Sequence, residues 1–206
     1  MEVILHKATK RFGREVIFKD VDRTLHSGSR TVILGPNGSG KSTLLQVIGG
    51  AIALNDGEVQ HRLNGSTVPE DEVYRSVSIA SPYLGLYEDL SLQQAIEMHA
   101  RFKPFRSGLN VSDIARIAYL DHALKKPVLN FSSGMKQRLK LALAILSDTP
   151  LLLLDEPGSN LDEQAVKWFN SILEEHVGDR TLVVASNRQP VEYQLCTQQI
   201  EMGSLR

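Results

Sequence analysis

Gly35-Pro36-Asn37-Gly38-Ser39-Gly40-Lys41-Ser42-Thr43 fits the phosphate-loop pattern G-x-x-x-x-G-K-[ST] in full. A triphosphate is held by a chain that wraps closely around it with several backbone N–H groups turned inward. Gly35, Gly38 and Gly40 suit such a turn, because a residue without Cβ tolerates positive φ and close approach. Lys41 can reach the β- and γ-phosphates, and the Ser42 hydroxyl can ligate Mg²⁺. The flanks agree. Arg30-Thr31-Val32-Ile33-Leu34 reads as a short buried strand, and residues 42–48 read as a helix whose N-terminus faces the phosphates. A glycine-rich turn that merely joins strand to helix has no need of Lys41 and Ser42 in register. The stretch implies binding of a nucleoside triphosphate.

The 206 residues are too few for two large domains but enough for one buried core carrying an insertion. Lys and Arg number 23 against 24 Asp and Glu, a net charge of −1, so no chain-wide attraction to nucleic acid exists and no nucleic-acid partner is expected. The single Cys196 excludes an intrachain disulfide and a cysteine-built zinc site, and suits a reducing cytoplasm. No apolar run approaches the roughly 18 residues of a membrane span, and Met1 to Lys7 lacks the layout of a secretory signal. Any membrane role would need another chain to do the spanning.

Strand-like and helix-like segments alternate, as in a mainly parallel sheet covered by helices. Val3 and Leu5 open a period-two strand, Val21 to Leu25 forms another, and Glu58 to Leu63 follows the Asn55-Asp56-Gly57 turn. From about Ser91 the texture becomes helical: Ser91 caps a helix that stops before Pro104, and a second runs over Val111 to Leu120. The expected organisation is a single domain over 1–206, with a nucleotide-binding core of 1–81 and 150–206 and a helical subdomain at 82–149.

Leu151-Leu152-Leu153-Leu154-Asp155-Glu156-Pro157 narrows the function. Four consecutive apolar residues suit a strand buried on both faces. At its end, beside the phosphate loop, Asp155 can hold Mg²⁺, generally through water. Glu156 can polarise the water that attacks the γ-phosphate. Shortly before it, Phe131-Ser132-Ser133-Gly134-Met135-Lys136-Gln137-Arg138 leads into a helix with Leu139, Ala142, Leu143 and Leu146 on one face.

This order of motifs resembles the ATP-binding-cassette (ABC) ATPase family over nearly the whole chain. The resemblance implies an α/β fold: a P-loop NTPase (RecA-like) core with a mainly parallel sheet, an N-terminal antiparallel β part and the inserted helical subdomain. It assigns Ser132, Ser133, Gly134 and Met135 to the family signature, usually Leu-Ser-Gly-Gly-Gln, and Ser159, Asn160, Leu161 and Asp162 to the D-loop. Phe12 falls near the aromatic that stacks on adenine. Gly35 to Thr43 would bind ATP, with Pro36, Asn37, Ser39 and Thr43 lining the loop between its key residues. The metal would be Mg²⁺, on Ser42 and Asp155. The implied assembly is a head-to-tail dimer, expected to be of identical copies, in which each ATP lies between the phosphate loop of one subunit and the signature of the other. Closing and opening would move a transmembrane permease subunit from the cytoplasmic side.

Two departures from the family pattern bear on rate. Family members carry a Gln at the end of the strand before the helical insertion. Here the stretch is Val77-Ser78-Ile79-Ala80-Ser81-Pro82-Tyr83, with Ser81 or Pro82 at the spot. The switch histidine after a late strand is replaced by Asn187, following Thr181 to Ala185. An amide can donate a hydrogen bond to a γ-phosphate but carries no proton or charge. ATP binding with slowed hydrolysis is the expectation. Three readings stay open: a transporter ATPase, a soluble ABC assembly or regulatory factor, and a weakly hydrolysing nucleotide-dependent interaction module. The six histidines show no metal spacing, and Trp168 and Phe169 read as packing residues.

Overall fold

The computed structural model describes residues 1–205. In chain order the elements are β1 (Glu2–Phe12), β2 (Glu15–Leu25), β3 (Arg30–Leu34), α1 (Lys41–Ile48), β4 (Asp56–Leu63), β5 (Ser66–Thr67) and β6 (Val77–Ala80). Then come α2 (Leu92–Phe102), α3 (Val111–Ile117), α4 (Ser133–Leu146), β7 (Leu151–Asp155), α5 (Glu163–His176), β8 (Thr181–Ser186) and β9 (Gln198–Glu201). Strands β2-β1-β4-β5 form an antiparallel sheet, and β6-β7-β8-β3-β9 form a second sheet whose neighbours all run parallel. The expected fold class is the observed one.

Apolar runs in the parallel strands follow from burial on both faces, and the period of two divides them. Val32, Leu34, Leu152, Leu154, Leu182 and Val184 pack with Ile96, Ile114, Leu141 and Phe169 of the helices. Ile33, Leu151, Leu153, Val183 and Ala185 face the other way, against Leu44 and Ile48 of α1 and Val3, Leu5 and Phe18 of the antiparallel sheet. Trp168 and Phe169 are buried, as their sequence setting indicated.

The helix boundaries have local causes. Ser91 accepts from the Gln94 N–H while the Gln94 side chain accepts from the Ser91 N–H, a reciprocal cap that starts α2. Helix α3 ends at Ile117, three residues short of the expected Leu120, because Tyr119 turns left-handed at φ 57°. His99 is stacked on Phe105, and burial lowers its pKa to about 4. Ser147 Oγ gives its hydrogen to the Leu143 carbonyl, so the neutral imidazole must donate from Nε2 to that oxygen at 2.8 Å. Cys196 is half-buried against the helical core, and desolvation raises its pKa to about 12.

Arg180 joins the layers. Only 4% exposed, it donates to the Ile145 and Ser147 carbonyls at the end of α4 and to His176 and Val177 at the end of α5. Such terminal carbonyls lack intrahelical donors and carry the negative end of the helix dipole. Arg180→Met leaves them unpaired at a cost of roughly 3 kcal/mol. Thermal unfolding is expected to drop by roughly 6–12 °C at this chain length, a shift that calorimetry resolves.

Candidate nucleotide site

Parallel strands deliver their following loops to one edge, and the register sets which residues meet there. Leu34 lies level with Ser186, and Asp155 with Ala185. Ala80 pairs with Leu154, so Ser81, one residue on, stands beside Asp155. The exits of β3, β6, β7 and β8 therefore bring together the Gly35–Thr43 loop, Ser81, Asp155-Glu156 and Asn187.

The loop's glycines answer to geometry. Gly40 sits at φ 99°, and a Cβ there would fall 2.2 Å from Ile17 Cγ2, a contact no side chain survives. A Cβ on Gly35 would meet Ser39 Oγ at 2.5 Å. Pro36, Asn37 and Gly38 are exposed, Ser39 and Lys41 are buried, and Gly40, Ser42 and Thr43 are intermediate. Lys41 Nζ donates to the Pro36 carbonyl at 3.1 Å and lies 3.4 Å from Glu156 Oε1. Its ammonium is thus held between the loop and the β7 exit.

Asp155 is 2% exposed. Ser42 Oγ donates to its Oδ1 at 3.0 Å and Ser81 Oγ to its Oδ2 at 3.0 Å. Desolvation raises its pKa, opposed by the two hydroxyl hydrogen bonds. Of Ser81 and Pro82, the Ser81 hydroxyl faces the carboxylate, while the Pro82 carbonyl accepts from Lys140 Nζ at 2.9 Å. A buried carboxylate flanked by two hydroxyls is an all-oxygen set of the kind Mg²⁺ takes when phosphates and waters complete its shell. The residues present fit that ion.

Glu156 adopts φ 44°, a left-handed conformation disfavoured for Glu by about 1 kcal/mol or more. Its N–H donates to the Ala185 carbonyl at 2.8 Å, and Gln137 of α4 donates to the next carbonyl, Pro157, at 3.1 Å. Asn187 follows β8 directly and is half-buried. The chain then turns through Arg188 at φ 72°, whose guanidinium leaves the site to pair with Glu201 at 2.7 Å.

Ser132 caps α4 by accepting from the Met135 N–H at 3.2 Å. Ser132 and Ser133 are exposed, and Gly134 and Met135 are intermediate. A Cβ on Gly134 would lie 3.4 Å from the Asn160 carbonyl, so the helix start and the 159–162 segment are neighbours. Within that segment Asn160 is left-handed at φ 61°, Ser159 and Leu161 are half-buried, and Asp162 caps α5 through the Ala165 N–H at 2.8 Å. Phe12 ends β1 with 51% exposure and Lys10 Nζ 5.0 Å from its ring centre. The same sheet touches the phosphate loop through Ile17.

Sequence reasoning passed over Gln137, Lys140 and Glu192. Glu192 is 2% exposed, lies in the short turn Pro190–Glu192 and accepts from the Gly158 N–H at 2.9 Å. Gln137 and Lys140 sat in an ordinary polar helix face, and no spacing marked Glu192.

A phosphate loop on an all-parallel sheet, a buried carboxylate at a neighbouring strand exit and an exposed hydroxyl-capped helix start define an ABC-type ATPase cassette. The ABC transporter family model matches residues 18–159, and the chain belongs to that family. It is 29% identical over 202 residues to the cytochrome c biogenesis ATP-binding export protein CcmA of Rhizobium meliloti, covering 94% of each chain. It is 30% identical over 166 residues to the maltose/maltodextrin import ATP-binding protein MalK of Escherichia coli, covering 78% of this chain and 44% of that one. It likewise spans 54% of the Bacillus subtilis ABC transporter ATP-binding protein YcbN at 30% identity. Among solved structures, the fold matches the ATP-binding cassette MJ0796 in a dimeric post-hydrolysis state bound to ADP and Pi. That match has a TM-score of 0.81 at 23% identity, covering 97% of this chain and 93% of that chain.

Proposed function

We propose that this chain is the ATP-hydrolysing subunit of an ABC transporter, working as a head-to-tail pair of cassettes that drives a separate membrane-spanning chain. One observation carries the reading. Lys41, Ser42, Asp155 and Glu156 gather at the sheet edge, while Ser132 and Ser133 stand exposed at a helix start whose first N–H groups have no intrahelical acceptor. Two copies arranged head to tail give each nucleotide both halves. The core of 1–81 and 150–206 supplies the phosphate loop and carboxylates, and 82–149 supplies the signature.

Residues Gly35 to Thr43 wrap the phosphates, with Lys41 neutralising the β- and γ-oxygens. Phe12 offers an open ring face to adenine. Ser42 and Asp155 would hold Mg²⁺, with the Ser81 hydroxyl steadying Asp155, and the ion's charge would offset that of the triphosphate. Glu156 accepts a proton from the attacking water. Ser132, Ser133, Gly134 and Met135 of the second copy present a dipole-favoured anion site to the γ-phosphate. The segment Ser159-Asn160-Leu161-Asp162, beside Gly134, lies along the contact between copies. Asn187 donates its amide hydrogen to the γ-phosphate in place of an imidazolium.

For the membrane partner we favour the groove between the Ser81 exit and α2. Leu86, Tyr87, Met98 and Phe102 line about 240 Å³ there, with Tyr87 and Phe102 each 64% exposed. No helix among the described residues is long and apolar enough to cross a membrane, so in this reading the partner spans it and the cassettes sit on its cytoplasmic face. Purifying the native complex from membranes tests the idea. Recovery of a polytopic chain with ATP-dependent association supports it, whereas a cassette found only among soluble proteins favours an assembly or regulatory factor.

Asn187 and Ser81 favour a second reading, a slowly hydrolysing interaction module. Asn187→His restores a group that can carry charge, and phosphate release is expected to rise about tenfold or more. An unchanged rate would place the limit elsewhere.

A further inference from the structure

We infer that Glu192 is a positioning residue that locks the turn carrying Glu156 to the end of the strand carrying Asn187. Both carboxylate oxygens are engaged. Oε1 accepts from the Gly158 N–H at 2.9 Å, and Oε2 accepts from the Ser186 hydroxyl. Ser186 Oγ in turn accepts from the Gln189 N–H at 3.2 Å. Because the hydroxyl oxygen receives that bond, its single hydrogen is free to point at Glu192, and the chain of donors ends on the carboxylate.

The placement fits a need. Glu156 is left-handed at φ 44°, and such a conformation persists only when its surroundings over-determine it. The turn is held by the Ala185 carbonyl on β8, by Gln137 on α4 and by Glu192. Glu192 alone of the three also grips Ser186, the residue before Asn187. A Cβ on Gly158 would approach Glu192 Oε1 to 2.8 Å, so the contact tolerates nothing larger than glycine without displacement. Burying a carboxylate is unfavourable, and desolvation raises the Glu192 pKa. A residue that only filled space there would serve better without charge.

The kinetic part of this inference rests on the proposed ATPase reading; the geometric part does not. The test is hydrogen–deuterium exchange on the full chain carrying Glu192→Ala or Glu192→Gln, alongside nucleotide affinity and phosphate release. Glu192→Ala is expected to speed exchange over residues 156–162 about tenfold, the equivalent of one lost hydrogen bond, with the β3 and β7 cores unchanged. ATP affinity should stay near the original. Turnover should fall by roughly 10- to 100-fold, as expected when a reacting group is misplaced. Glu192→Gln can still accept from Gly158 and donate to Ser186, and should restore most of both. Should Glu192→Ala fail to fold, Ser186→Ala removes the Oε2 arm alone and is expected to give a smaller change of the same kind. Unchanged local exchange, or exchange raised equally through the sheet with no rescue by Gln, overturns the inference. A wild-type chain that binds no nucleotide, yet shows the local exchange pattern, sinks the ATPase reading and leaves the positioning role standing.

Discussion

Lys41→Ala is expected to remove measurable ATP binding. The ammonium is 4% exposed and fixed between the Pro36 carbonyl and Glu156, the position from which it would meet the β- and γ-phosphates. Removing one partner of a desolvated charge pair costs roughly 2–5 kcal/mol, or about 30- to 4,000-fold in affinity. The substitution also leaves Glu156 without its cation, adding repulsion toward the triphosphate. Titration calorimetry with Mg–ATP measures the loss. Affinity retained within threefold would mean that the phosphates lie somewhere other than the Gly35–Thr43 loop.

Glu156→Gln separates binding from chemistry. The amide has nearly the same shape but cannot take a proton, so hydrolysis is expected to fall by roughly 10²- to 10⁴-fold. Binding should persist, because Lys41, Ser42 and Asp155 are untouched. If the signature of a second copy completes the site, the nucleotide then stays trapped and a dimer accumulates. Light scattering after size exclusion, with and without ATP, reads this directly. A variant that remains monomeric at saturating ATP counts against the two-copy arrangement, and one that hydrolyses normally removes Glu156 from the chemistry.

Much of this site was legible because its parts are short and contiguous. Gly35 to Thr43 carries its own geometry in glycine placement, and the run from Leu151 to Asp155 announces a buried strand ending in a carboxylate. What sequence left open depends on register. Ser81 and Pro82 were equivalent on the page; the pairing of Ala80 with Leu154 puts Ser81 on Asp155. Glu192 is a harder case. Its two partners, Gly158 and Ser186, lie 34 and 6 residues away, and no periodicity joins a glycine amide, a serine at a strand end and a glutamate in a one-turn helix. Helix ends such as Ile117 were missed for a simpler reason: a left-handed Tyr119 has no propensity signature.

The four loops around Asp155 leave separate strands of one rigid sheet. Side chains tie them together across that edge: Lys41 to Glu156, Ser42 and Ser81 to Asp155, and Glu192 to Gly158 and Ser186. Ser81 and Asn187 occupy different exits, and neither packs into the hydrophobic clusters that hold the sheet. Under the proposed function, substitutions at these two positions would change how long the nucleotide is kept while the phosphate loop that recognises it stays as it is. Such a cassette would work as a timer whose period is set at its loop tips.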